Sequence, residues 1–185
     1  GRDKGENGWV KFSEDVIKQL GFEPDEEKEP VNVMQIGEML QFMKQCAERI
    51  ADKSQKYVSS SDAEIQMDCI DIVTARLNDF TQVFRDLIIF MRKEEGTHRG
   101  GTSLRYCMVS YDTFDFDETT EEKTLLRELL LRNEITHDYF NRDLHQQKLI
   151  WIMEHCAYGA VDVYRNLYGY CLERHLLEKY ADKNV

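Results

Sequence analysis

Proline is scarce in this chain: 185 residues hold two, Pro24 and Pro30. Proline removes a helix donor and clashes with the preceding turn, so everything beyond Pro30 is open to long uninterrupted helices. Ten glycines, several bunched at Gly96, Gly100 and Gly101, leave few places for tight turns. Both shortages point to an all-α fold. Positive charge is also short, with 24 Lys and Arg against 35 Asp and Glu and a net charge of −11. Such a field repels a polyanion and excludes broad electrostatic binding to DNA or RNA. Any nucleic-acid contact has to be a pocket that reverses the sign locally. The five cysteines, Cys46, Cys69, Cys107, Cys156 and Cys171, are scattered, odd in number and without a CxxC pair. They read as reduced, packed thiols of a cytosolic protein rather than a zinc site or disulfide framework. Nothing resembles a signal peptide, and no apolar run approaches the ~20 residues of a membrane span. The expectation is a soluble, cytoplasmic chain with no membrane partner.

What is present is helical periodicity. Residues 1–31 read as an N-terminal arm: a short helix over "FSEDVIKQLGF", then the acidic linker "EPDEEKEP". Residues 32–185 read as one bundle domain. Apolar positions recur at helical spacing from Asn32 to Ser54 and again from Ala63 to Arg92, with Ser61 or Asp62 as the second cap. "KEEGTHRGGTSLRYCMVSYDTFDFDET" interrupts the pattern, and residues 96–118 form an irregular or hairpin insertion, since "CMVSYDTFDF" alternates. Arg92, Lys93, His98, Arg99 and Arg105 make it the most basic part of the chain, with Arg99 and Arg105 as weak candidates for RNA contact. Helix resumes at "TTEEKTLLRELLLRNEITH", capped by Thr119 or Thr120. A last segment starts at Asp143 and runs past Gly159 and Gly169, where it kinks or allows close helix approach. The economical architecture is an antiparallel bundle of four to five long helices.

One stretch changes character. In "LLLRNEITHDYFNRDLHQ", Leu126 and Leu130 form a stripe that Asn133 and His137 continue, and Arg132 extends the neighbouring stripe of Leu125 and Leu129. Burying such groups unpaired is costly, so the face leaves the core there or meets specific partners. Arg132 and His137 lie roughly 140° apart around the axis and about 7.5 Å along it. One helix cannot aim both at a single atom, whereas a symmetric partner brings a second Arg/His set to one groove. Taken singly, each residue is better explained by structure: Arg132 can pair with Glu128 or Asp138, and a lone histidine near a helix end is commonly a satisfied one. The whole string R-N-x-x-x-H-x-Y occurs by chance on the order of once in several thousand chains of this length.

"RNEITHDYF" resembles the R-x4-H-x-Y signature of the HEPN superfamily, in particular the toxin branch paired with minimal nucleotidyltransferases. Arg132, His137 and Tyr139 match the motif, Asn133 fills the polar position after the arginine, and Asp143 matches the aspartate that opens the next helix. The resemblance covers about 15 residues and implies an all-α homodimer whose two motifs face one groove. It further implies endoribonuclease activity without a metal or other cofactor, leaving 2′,3′-cyclic phosphate and 5′-hydroxyl ends, in a toxin–antitoxin or phage-defence setting. Arg132 would stabilise phosphate charge, His137 would act as acid and base, and Asn133 would orient them. Tyr139 would be the acceptor for nucleotide transfer by a cognate nucleotidyltransferase antitoxin. The alternative is a non-catalytic module that binds a nucleotide or a partner nucleotidyltransferase in the same groove. A metal cluster built on His145 and His155 needs ligands from another helix and is disfavoured. Tyr158, Tyr164, Tyr168 and Tyr170 read as core or seam aromatics rather than a base-stacking platform.

Overall fold

The computed structural model describes residues 29–134 and 142–177. Its elements are α1 (Glu29–Ser59), α2 (Ala63–Glu94), α3 (Leu104–Thr113), α4 (Thr120–Glu134), α5 (Arg142–His155) and α6 (Gly159–Glu173). No strand occurs among the described residues, and no described helix is long and apolar enough to cross a membrane. The arm helix expected over "FSEDVIKQLGF" lies outside them.

On α1, Ile36, Leu40, Met43, Ala47 and Ile50 recur every three or four residues, and all are buried. α2 answers with Val73, Leu77, Phe80, Phe84, Leu87 and Met91. Three residues, 60–62, join the two helices, and Asp62 caps α2 by accepting from the Glu64 and Ile65 amides at 2.8 and 3.3 Å. So short a turn sends α2 back along α1. Accordingly, Gln35 and Met39 from the start of α1 and Phe90 and Lys93 from the end of α2 line one groove.

Residues 96–118, expected as an irregular or hairpin insertion, are irregular at both ends but hold a helix, α3, in place of any hairpin. Ser103 caps α3 by accepting from the Tyr106 amide at 3.0 Å, and Leu104, Cys107 and Tyr111 turn one buried stripe inward. The apparent alternation had two-residue and helical periods superimposed over too few residues to separate. Its glycines do make turns: Gly96 and Gly100 adopt φ of +73° and +89°. Arg92 is drawn into this structure, stacked over Phe114 at 5.2 Å and donating to Thr97 and Thr113.

α4 starts with a capping box. The Glu122 amide donates to Thr119 Oγ1 at 3.2 Å, and Glu122 Oε1 accepts from the Thr119 amide at 2.9 Å. Glu122 is also a buried hub. It accepts from the Tyr111 hydroxyl at 2.6 Å and from Asn166 Nδ2 at 2.9 Å, tying α3, α4 and α6 together. The last apolar run is two helices rather than one kinked rod: α5 ends at His155 and α6 begins at Gly159. A Cβ at Gly159 would lie 2.8 Å from the Glu121 carbonyl oxygen and 2.9 Å from Leu125 Cβ, so glycine lets α6 close on α4. Around Gly169 there is open space.

Candidate active site

The last turn of α4 carries the first two motif residues, Arg132 and Asn133. Leu125 and Leu129 are buried, and Arg132, half-buried, follows them on the same stripe towards α2. There Arg132 Nη1 donates to Asn78 Oδ1 at 2.8 Å. Glu128, one of its expected partners, accepts from Lys148 Nζ on α5 at 3.2 Å, and Asp138, the other, lies outside the described residues. Asn133 is exposed beside Arg132. His137 and Tyr139 lie outside the described residues, as does the side chain of Asp143.

Arg132, Asn133 and Leu129 form one wall of a 180 Å³ cleft whose other wall is Asn78, Thr81, Gln82 and Arg85 of α2. Those four sit at i, i+3, i+4 and i+7, so they share one face of the helix. Arg85 Nη2 donates to Gln82 Oε1 at 2.8 Å, and Gln82 Nε2 donates to Asp86 Oδ1 at 3.0 Å. The described lining therefore has two guanidinium groups, three amides and a hydroxyl, and no carboxylate. The acids of this part of α2, Asp79 and Asp86, line the separate groove against α1. Among the described residues, this reverses the sign of a chain whose net charge is −11. Burial draws the Arg132 pKa below its ordinary value. An arginine starts so high that it keeps its charge.

Asn133 and Arg132 are thus brought together, and Arg99 and Arg105 are not: both are exposed on the segment around α3, and neither lines the cleft. The α2 wall was missed because its polar stripe is indistinguishable from a solvated face. The spacing of Asn78, Thr81, Gln82 and Arg85 was the available signal. Elsewhere, His155 stacks on Trp151 at 4.5 Å, its Nδ1 3.0 Å from the Trp151 carbonyl oxygen. No group of three His, Cys, Asp or Glu side chains among the described residues could hold a metal. Tyr170 is buried, its hydroxyl bonded to Glu95 and its ring 4.0 Å beneath the Arg174 guanidinium. Tyr164 stacks on Tyr168 at 5.8 Å.

Leu126, on the stripe that Asn133 continues, is covered by its own chain and only 6% exposed, while Leu130 on the same stripe is half-buried. The apolar side chains left open at this end are Leu131 and Leu144, 38% and 39% exposed.

In comparisons with family models, curated proteins and solved structures, nothing matches this chain.

Proposed function

We propose that the chain is a HEPN-like antiparallel helical bundle acting as a metal-independent endoribonuclease in the cytoplasm, in a toxin–antitoxin or phage-defence system. The observation that carries this reading is the cleft under Arg132 and Asn133, whose described lining holds two guanidinium groups and no carboxylate in an acidic protein. A guanidinium there meets the charge that develops on the non-bridging phosphoryl oxygens as the 2′-oxygen attacks phosphorus. His137, five residues on, takes the 2′-hydroxyl proton and returns one to the leaving 5′-oxygen, giving 2′,3′-cyclic phosphate and 5′-hydroxyl ends. Tyr139 is the residue on which a cognate nucleotidyltransferase would place a silencing nucleotide.

A homodimer completes the site, setting a second Arg132/His137 pair across the groove. Its apolar contribution comes from Leu131 and Leu144 rather than Leu126. An interface above ~1,000 Å² is the size a specific pair needs. The test is cleavage of single-stranded RNA in EDTA. Alanine at His137 is expected to lower the rate about 10²–10⁴-fold. Alanine at Arg132 is expected to lower it about 10²–10³-fold. Equal rates for wild type and both variants would sink the reading, and a monomer by light scattering at micromolar concentration would remove the dimer.

The net charge of −11 favours a second reading, a non-catalytic module that binds a nucleotide or a partner nucleotidyltransferase. Growth arrest on expression that depends on His137 selects the nuclease. Harmless expression with measurable nucleotide binding selects the module.

A further inference from the structure

The other end of the bundle holds a cavity that the reading above does not use. α1 and α5 end there, and α4 and α6 begin there. The segments outside the description join the opposite ends of these four helices, so every element that forms the cavity is described. Its 840 Å³ lies within the range of about 300–1,000 Å³ that small-molecule sites span.

Three helices each bring one carboxylate to this cavity: Asp52 from α1, Glu121 from α4 and Glu154 from α5. Against them the described lining holds one lysine, Lys56, and no arginine. Two hydrogen bonds set the wall. Gln55 Nε2 donates to the Tyr158 hydroxyl oxygen, and the Tyr158 amide donates to Glu121 Oε1 at 3.2 Å. Tyr158 thus ties α1 to α4 and still leaves its side chain 41% exposed. The wall also contains an unmet group. Ser54 lines the cavity at 0% exposure, and its Oγ has no hydrogen-bond partner among the described residues. A buried hydroxyl left unpaired is costly, which points to a partner that arrives from outside the chain. A serine moves between staggered wells by rotation about one bond, so a donor in the cavity can draw the hydroxyl to it.

We propose that this cavity binds a linear alkyl polyamine. An ammonium group has three donors and no acceptor, which suits carboxylates and a hydroxyl oxygen. Several such groups separated by methylenes suit acids carried on three different helices. Glu121 and Glu154 take the ammonium groups, and Ser54 accepts a further bond from one of them. The methylenes lie on Val58, Met153 and Ala157, and the face of the Tyr158 ring attracts a neighbouring cation. The same charges refuse a phosphate, so the site is distinct from the cleft under Arg132.

The test is isothermal titration calorimetry of the full chain with spermidine at low ionic strength. Butylamine serves as the monoamine control, and urea midpoints are recorded for every variant. Spermidine is expected to bind about tenfold or more tightly than butylamine, since its ammonium groups act together. Glu121→Gln and Glu154→Gln, which remove charge and keep shape, are each expected to weaken spermidine about five- to tenfold. Ser54→Ala separates binding from stability: the urea midpoint should hold or rise while affinity falls about fivefold. Glu173→Gln removes an exposed acid at the far end of α6 and should leave affinity at the wild-type value. Absence of saturable spermidine binding would overturn the inference. So would an equal loss in Glu173→Gln and Glu154→Gln, the sign of diffuse counterion attraction, and so would wild-type affinity in Ser54→Ala.

Discussion

Ser54 sits on the inward face of α1 with its hydroxyl sealed from solvent and no hydrogen-bond partner among the described residues. A buried unsatisfied hydroxyl costs on the order of 1–3 kcal/mol. Ser54→Ala removes that group, leaves no cavity larger than one oxygen and improves helix propensity. We expect it to raise unfolding free energy by about 1–2 kcal/mol in urea titrations; a loss of stability would mean that the hydroxyl is satisfied in solution. At this scale the sequence was informative where chemistry broke a pattern. Arg132 and Asn133 stood out because a guanidinium and an amide replaced leucines on a core stripe, and they do converge on one cleft. Asn78 and Arg85 broke no pattern, since polar residues opposite Leu77 and Phe80 are what any amphipathic helix shows. Their place on the cleft depends on which helix faces which, and a single helix's periodicity does not encode that.

Helices were legible where apolar runs were long, and their ends where caps were present. α2 begins at Ala63 with Asp62 rather than Ser61 as its cap, and α4 takes Thr119 rather than Thr120, each one of the two residues the sequence offered. α3 was misread because its stripe of Leu104, Cys107 and Tyr111 spans barely two turns, although Ser103 three residues before Tyr106 was a usable start signal. The division between α5 and α6 was half legible. Gly159 and Gly169 looked alike in sequence, yet one is pressed against α4 and the other faces open space. Substitution separates them. Gly159→Ala puts a methyl within 3 Å of backbone and Leu125, and should lower stability by about 1–3 kcal/mol, as overpacking does. Gly169→Ala should be neutral or stabilise by up to about 1 kcal/mol through helix propensity. Thermal melts of the two variants suffice, and a Gly159→Ala protein as stable as wild type would refute the close approach.

Over the whole molecule, the core is sealed around groups that hold their protons. All five cysteines are free and buried. Burial pushes the Cys107 thiol up to about 11 and those of Cys156 and Cys171 up to about 12, from an ordinary 9.0. Burial, followed by the Glu122 carboxylate, raises Tyr111 far above its ordinary 10.0. In each case the unfolded chain gives up its proton at lower pH than the folded one. The stability tied to these groups is therefore complete below about pH 9 and drains away as pH rises towards 11–12. Under reducing conditions, urea midpoints should be level between pH 7 and 8.5 and fall steadily above 9. A midpoint still level at pH 10.5 would contradict the burial of these groups.

The three-residue turn between α1 and α2 bears on how the chain reaches this state. Pairing two helices of 31 and 32 residues across so short a connection closes almost no loop, so little chain entropy opposes the first contacts. Each later contact of Ile50, Met43 and Ile36 with α2 forms next to one already made, as a zipper closes. The links that bring in the rest span far more chain: Tyr111 to Asn166 crosses 55 residues, and Glu95 to Arg174 crosses 79. Local contacts set the pace of folding in helical proteins. We expect the α1–α2 hairpin to form first and the face of α2 that carries Asn78 to be in place before Arg132 packs on it.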